Sequence, residues 1–85
     1  MKPKENNQRK ELIPEEELQK LGKRIKSLRI AKGYKNYEIF AYEHGINRAQ
    51  FGQYENGKNI QFVSLIKVLN ALDISLKDFF SEGFE

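Results

Sequence analysis

The run Gly45-Ile46-Asn47-Arg48-Ala49-Gln50-Phe51-Gly52-Gln53-Tyr54-Glu55-Asn56-Gly57 constrains this chain more than any other stretch. It carries both ends of a short helix. Asn47 is a favoured N-cap, because its side-chain oxygen accepts from the backbone N–H groups that open a helix. Gln50, three residues on, has the spacing to reach back to the Asn47 N–H and complete a capping box, and Ile46 and Phe51 occupy the two positions of a hydrophobic staple. Asn56-Gly57 closes the segment, since both residue types tolerate the left-handed backbone just past a helix end. At 3.6 residues per turn Phe51 and Tyr54 share the inner face, which leaves Ala49, Gly52 and Gln53 pointing outward with Arg48 on the flank. Arg and Gln fit the guanine and adenine edges of a DNA major groove. Any solvated helix can also carry them, so the flanking sequence has to decide.

Eighty-five residues predict one small domain with a modest core. The absence of cysteine excludes disulfides and thiolate metal sites and fits a reducing cytoplasm. No apolar run has the length of a membrane span, and the N-terminus lacks the apolar core of a secretory signal. The net charge is +3, from 15 basic and 12 acidic residues, so placement matters more than amount.

Residues 1–13 are polar and charged without apolar periodicity and read as a flexible basic arm, in which Lys2, Lys4, Arg9 and Lys10 can touch phosphates. A domain is expected over 14–80, followed by a short tail, 81–85. Pro14 with Glu15, Glu16 and Glu17 opens a first helix in accord with its dipole. Leu18, Leu21, Ile25 and Leu28 supply its buried stripe, and Gly33 stops it. Gly22, unfavourable inside a helix, marks close packing or a bend. Asn36 caps a second helix ending near His44-Gly45, with Ile39, Phe40 and Ala41 as its apolar positions. A fourth helix places Phe62, Leu65, Ile66, Leu69 and Leu72 on one stripe, behind a poor cap at Gln61. Ser75 caps a short fifth helix that drops Leu76, Phe79 and Phe80 onto the core. No β-alternation is present. The expected fold is all-α, a compact five-helix bundle.

Two short helices meeting at Gly45-Ile46-Asn47, with small Ala41 permitting their close approach, form a helix-turn-helix pattern. Here the sequence resembles the lambda-repressor-like helix-turn-helix regulators of the Cro/C1 or Xre type, over about Leu21 to Phe80. The resemblance rests on Leu21-Gly22-Lys23-Arg24-Ile25 to Leu28-Arg29, Lys32-Gly33, Ala41 with Gly45, Tyr54-Glu55-Asn56-Gly57-Lys58, and Ala71-Leu72 to Ile74-Ser75-Leu76. It implies base contacts from Arg48, Ala49, Gly52 and Gln53. It implies phosphate contacts from Lys35, Asn36 and Tyr37, from Asn47, and from Asn56, Gly57 and Lys58 with their backbone. It also implies that Arg29 pairs with Glu55, which explains an acidic residue on a helix meant to approach DNA. Tyr37 stands where the family often has glutamine.

The function expected is sequence-specific binding of double-stranded DNA by a transcriptional regulator. One unit reads few base pairs, so a homodimer on an inverted-repeat operator is expected, with half-sites one turn, ~34–36 Å, or a multiple apart. The exposed part of Phe79-Phe80 to Phe84 is the expected dimer surface. The rival reading is an antitoxin-like or adaptor module that uses the same fold to hold a protein partner. No catalytic set, metal cluster or cofactor-binding loop can be assembled, so no enzyme activity, metal or cofactor is expected. Phage repressor, mobile-element regulator and restriction-modification controller are not separated by these residues.

Overall fold

The computed structural model describes residues 11–85, so Lys2, Lys4, Arg9 and Lys10 of the expected arm lie outside the described residues. Five helices follow one another: α1 (Pro14–Ala31), α2 (Tyr37–Glu43), α3 (Arg48–Glu55), α4 (Phe62–Leu72) and α5 (Leu76–Phe79). No strand occurs among the described residues.

Local chemistry sets these boundaries. Asn36 accepts from the Glu38 and Ile39 N–H groups to start α2, Asn47 accepts from the Gln50 N–H to start α3, and Ser75 accepts from the Asp78 N–H to start α5. α4 starts behind Gln61 with no side-chain cap, as its sequence predicts. The first three helices all end the same way. The residue after each C-cap is a glycine with positive φ: Gly33 at 102°, Gly45 at 69° and Gly57 at 87°. The N–H groups of Tyr34, Ile46 and Lys58 then return to the carbonyls of Arg29, Ala41 and Gln53. This is the Schellman arrangement, which satisfies carbonyls that a helix end would otherwise leave unpaired.

The core draws on every helix: Leu21 and Ile25 from α1, Phe40 and Ala41 from α2, Phe51 and Tyr54 from α3, Leu65, Val68, Leu69 and Leu72 from α4, and Phe79 from α5, with Ile46 in the α2–α3 turn. Phe40, Phe51 and Phe79 are completely buried, each stabilising the fold by about 1.5–3 kcal/mol relative to an exposed ring. Phe40 and Phe51 lie 5.2 Å apart across the helix-turn-helix.

Four apolar expectations are corrected. Ile39 is exposed, because a seven-residue helix presents only one narrow face and Phe40-Ala41 take it. Phe62 is exposed at the first position of α4, one turn short of the covered region, and Val68 is buried in its place. The stripe is therefore Leu65, Val68, Leu69 and Leu72, the i, i+3, i+4, i+7 spacing of a single core face. Leu76 and Phe80 lie mainly at the surface, and Phe79 alone of the three is fully buried.

Gly22 is inside the α1–α3 contact. A Cβ on it would sit 2.6 Å from the Tyr54 and Glu55 carbonyl oxygens, so this position brings α1 against the C-terminal turn of α3, backbone to backbone.

Candidate nucleic-acid interface

α3 is held from three directions. Ile46 and Phe51 are both buried, as the staple requires, and Tyr54 follows Phe51 into the core. The Asn47 side chain caps the Gln50 N–H at 2.9 Å. The reciprocal bond from Gln50 is not made, since the Gln50 side chain stays exposed. Thus the predicted box is half formed.

The third restraint is ionic. Arg29 Nε donates to Glu55 Oε2 at 2.7 Å, and its terminal amine donates to Oε1 at 2.9 Å. Its remaining amine donates to the Tyr34 carbonyl at 2.7 Å. The two side chains are only 4% and 7% exposed. A guanidinium presents its donors in a rigid fork, so a two-pronged grip of this kind fixes orientation as well as distance. Arg29 therefore ties the end of α1 to the end of α3 and to the loop leading into α2, and both oxygens of Glu55 are occupied.

What remains open on α3 is Arg48, Ala49, Gln50 and Gln53. Gly52 is not part of that face. It is buried, and a Cβ there would lie 2.8 Å from the Tyr37 ring, so α2 lays its first aromatic across it. The outward placement expected of Gly52 is thereby corrected, and its lack of a side chain serves the packing of Tyr37.

The structure gathers several of the phosphate-contact candidates around this face. Tyr37 shares a hollow with Asn47, Arg48 and Ala49, so the start of α2 and the start of α3 form one surface. Lys35 and Asn36 are exposed just ahead of it, and Asn56 and Lys58 are exposed at the far end of α3. The backbone of that far end is already committed. The Asn56 N–H donates to the Gly52 and Gln53 carbonyls, the Gly57 N–H to Tyr54 and the Lys58 N–H to Gln53. Side chains of Asn56 and Lys58, not the main chain of 56–58, are the donors free to meet a phosphate.

Two residues escaped the sequence reasoning. Gln19 of α1 donates to the Asn56 carbonyl at 3.2 Å across 37 residues, steadying the turn after α3, and no local pattern signals such a contact. Gln50 joins the open face because its side chain is not drawn back to the cap.

His44 stacks on Phe40 at 4.3 Å, and its Nδ1 lies 2.8 Å from the Phe40 carbonyl. Its ring is thus occupied within the fold. Beside it Tyr34 donates its hydroxyl to Glu43 at 2.7 Å, and the carboxylate holds that phenol above its ordinary value. Among the described residues no group of three or more His, Cys, Asp or Glu is placed to hold a metal, and no helix is long and apolar enough to cross a membrane.

No family model matches the chain. The Control protein C.MunI of Mycoplasma sp. is 34% identical over 64 residues, covering 74% of this chain and 86% of that protein. The crystal structure of the restriction-modification controller protein C.AhdI from Aeromonas hydrophila superposes with a TM-score of 0.69 at 36% identity, covering 76% of this chain and 98% of that one. The wild-type restriction-modification controller protein C.Esp1396I gives a TM-score of 0.67 at 30% identity, covering 82% and 87%. With the helix-turn-helix and its open α3 face, these likenesses settle the affiliation: the chain belongs to the restriction-modification controller proteins, DNA-binding transcriptional regulators of the Cro/C1 helix-turn-helix type.

Proposed function

We propose that this protein acts in the cytoplasm as a two-fold dimer that occupies an inverted-repeat operator and sets transcription of a restriction-modification operon. α3 enters the major groove. Arg48 bonds a guanine and Gln53 an adenine, while Ala49 lies against the groove floor. Lys35, Asn36, Tyr37, Asn47, Asn56 and Lys58 hold the flanking phosphates. The observation carrying this reading is the exposed Arg48–Gln53 surface on a helix whose opposite side is immobilised by Phe51, Tyr54 and the Arg29–Glu55 grip. A base-reading side chain discriminates only if its backbone is held in register with the groove, and each good bidentate contact is worth ~1–3 kcal/mol of discrimination.

The second copy is proposed to meet the C-terminal aromatic edge. An apolar groove of about 540 Å³ lies there, lined by Leu12, Pro14, Leu18, Leu21, Phe80 and Phe84. Selection of bound duplexes from a random pool tests the whole reading. Enrichment of a two-fold symmetric sequence is expected. Enrichment of no motif at low salt, with a protein partner captured instead, would favour the adaptor alternative.

A further inference from the structure

One cleft joins the two ends of the candidate interface. It has a volume of about 510 Å³. Lys35 and Tyr37 come to it from the start of α2, Asn56 from the end of α3, and Lys23 and Lys26 from the middle of α1. Neither of these α1 lysines belongs to the helix-turn-helix.

The charge in this cleft is unbalanced. Its one carboxylate, Glu55, has both oxygens bound by Arg29. Among the described residues Lys23, Lys26 and Lys35 have no acid within ion-pair distance, so three positive charges face the cleft without a counterpart. Lys23 and Lys26 are three residues apart on one helical face, a like-charge pair that weakens a helix by a few tenths of a kcal/mol unless an anion sits between them. At its edge Tyr37 lies over side-chain-free Gly52, with its hydroxyl 3.1 Å from where a Cβ of Gly52 would be.

Resting on the DNA-binding reading above, we propose that this cleft receives the phosphodiester backbone of the bound duplex, with Lys23 and Lys26 making α1 a third phosphate-holding element. Continuity identifies the occupant. The same cleft is bounded by side chains already expected to hold phosphates at the start of α2 and at the end of α3, so a strand passing between them runs over the α1 lysines. Phosphates recur every ~3.4 Å of axis along one strand, so an opening of this size takes one or two of them.

The salt dependence of duplex binding tests the assignment. Lys23→Gln/Lys26→Gln is compared with Lys67→Gln/Lys77→Gln, which removes the same charge from exposed positions of α4 and α5 outside the cleft. Each lost phosphate contact lowers the slope of log K against log salt by ~0.9, so the α1 pair, lost from both subunits of the bound dimer, should lower it by about 3.6 and leave the order of preferred sequences unchanged. The α4/α5 pair should keep the wild-type slope. Equal slopes for the two pairs would overturn the assignment. Inorganic tripolyphosphate is titrated into the wild type and the α1 variant at matched ionic strength. Lysine-dependent binding of that ion alone, with the duplex slope unmoved, would give the cleft to a free polyanion and also overturn it. The two readings fail separately. A random pool that yields no motif while the slope difference persists would remove base reading but keep the α1 contacts. A selected motif with equal slopes would do the reverse. Absence of any duplex binding sinks both.

Discussion

At one side of the molecule α1 meets α3 through a seam made largely of backbone and charge. Gly22 lies against the Tyr54 and Glu55 carbonyls, and Arg29 spends three hydrogen bonds on Glu55 and Tyr34. At the C-terminal side Phe79, Phe80 and Phe84 stack with centroids 4.9–6.1 Å apart, and Phe80 remains 43% exposed. An arginine from α1 serves there as well, since Arg24 donates to the Asp78 and Phe79 carbonyls at 2.9 and 2.8 Å. The difference lies in what each region leaves over. The first pairs the two charges it buries, Arg29 and Glu55, and fixes α3 in direction and register. The second attaches α5 firmly but leaves apolar surface, and apolar burial is non-directional and suited to association. A helix that must find base edges needs the former, and the latter suits a surface proposed to meet a second copy.

Substitutions should separate the two regions by size of effect. Arg29→Ala strands the buried Glu55 carboxylate without a partner, and loss of one member of a buried pair costs about 3–5 kcal/mol. Thermal unfolding should show the largest drop of the series, and a melting curve like that of the wild type would mean the grip is idle. Gly22→Ala places a Cβ against two carbonyl oxygens that cannot rotate away. Overpacking of this kind costs about 1–3 kcal/mol. Because it pushes on the end of α3, operator affinity should fall further than that of a variant destabilised equally elsewhere, such as Leu69→Val. Parallel losses would show that α3 tolerates the shift.

Asn47→Ala removes a single cap and should cost about 1 kcal/mol by denaturant titration, with Asn47→Asp retaining most of the stability. Smallest for the isolated subunit is Phe80→Ser. Half-exposed, it should change unfolding of the dilute monomer by under ~1 kcal/mol, yet sedimentation should show weaker self-association if the aromatic edge is the dimer surface. An unchanged association constant would move the interface elsewhere.

Much of this was legible because short-range chemistry dictated it. Asn36, Asn47 and Ser75 announce helix starts, and Gly33, Gly45 and Gly57 announce stops, whatever the tertiary context. The Arg29–Glu55 pair came only through resemblance, because nothing local links residues 26 apart. The errors arose where a neighbouring element decides. Gly52 lies outward on a helical wheel, and only the arrival of Tyr37 from α2 buries it. Phe62 continues the α4 periodicity, but the periodicity outruns the core that would cover it. Gln50 has the spacing of a capping box, and solvation of its amide competes with closing it. No local pattern assigns Lys23 and Lys26 a role, and only the folded chain sets them beside Lys35 and Asn56.

The most direct test is a base-by-base comparison of Arg48→Ala with the wild type. Affinities are measured for the selected operator and for every single-base variant of one half-site. Wild-type affinity should fall ~10- to 100-fold at the position Arg48 reads, and Arg48→Ala should become indifferent to that base while keeping its preferences elsewhere. A variant that loses affinity uniformly across all duplexes, with each positional preference intact, would contradict a base-reading α3.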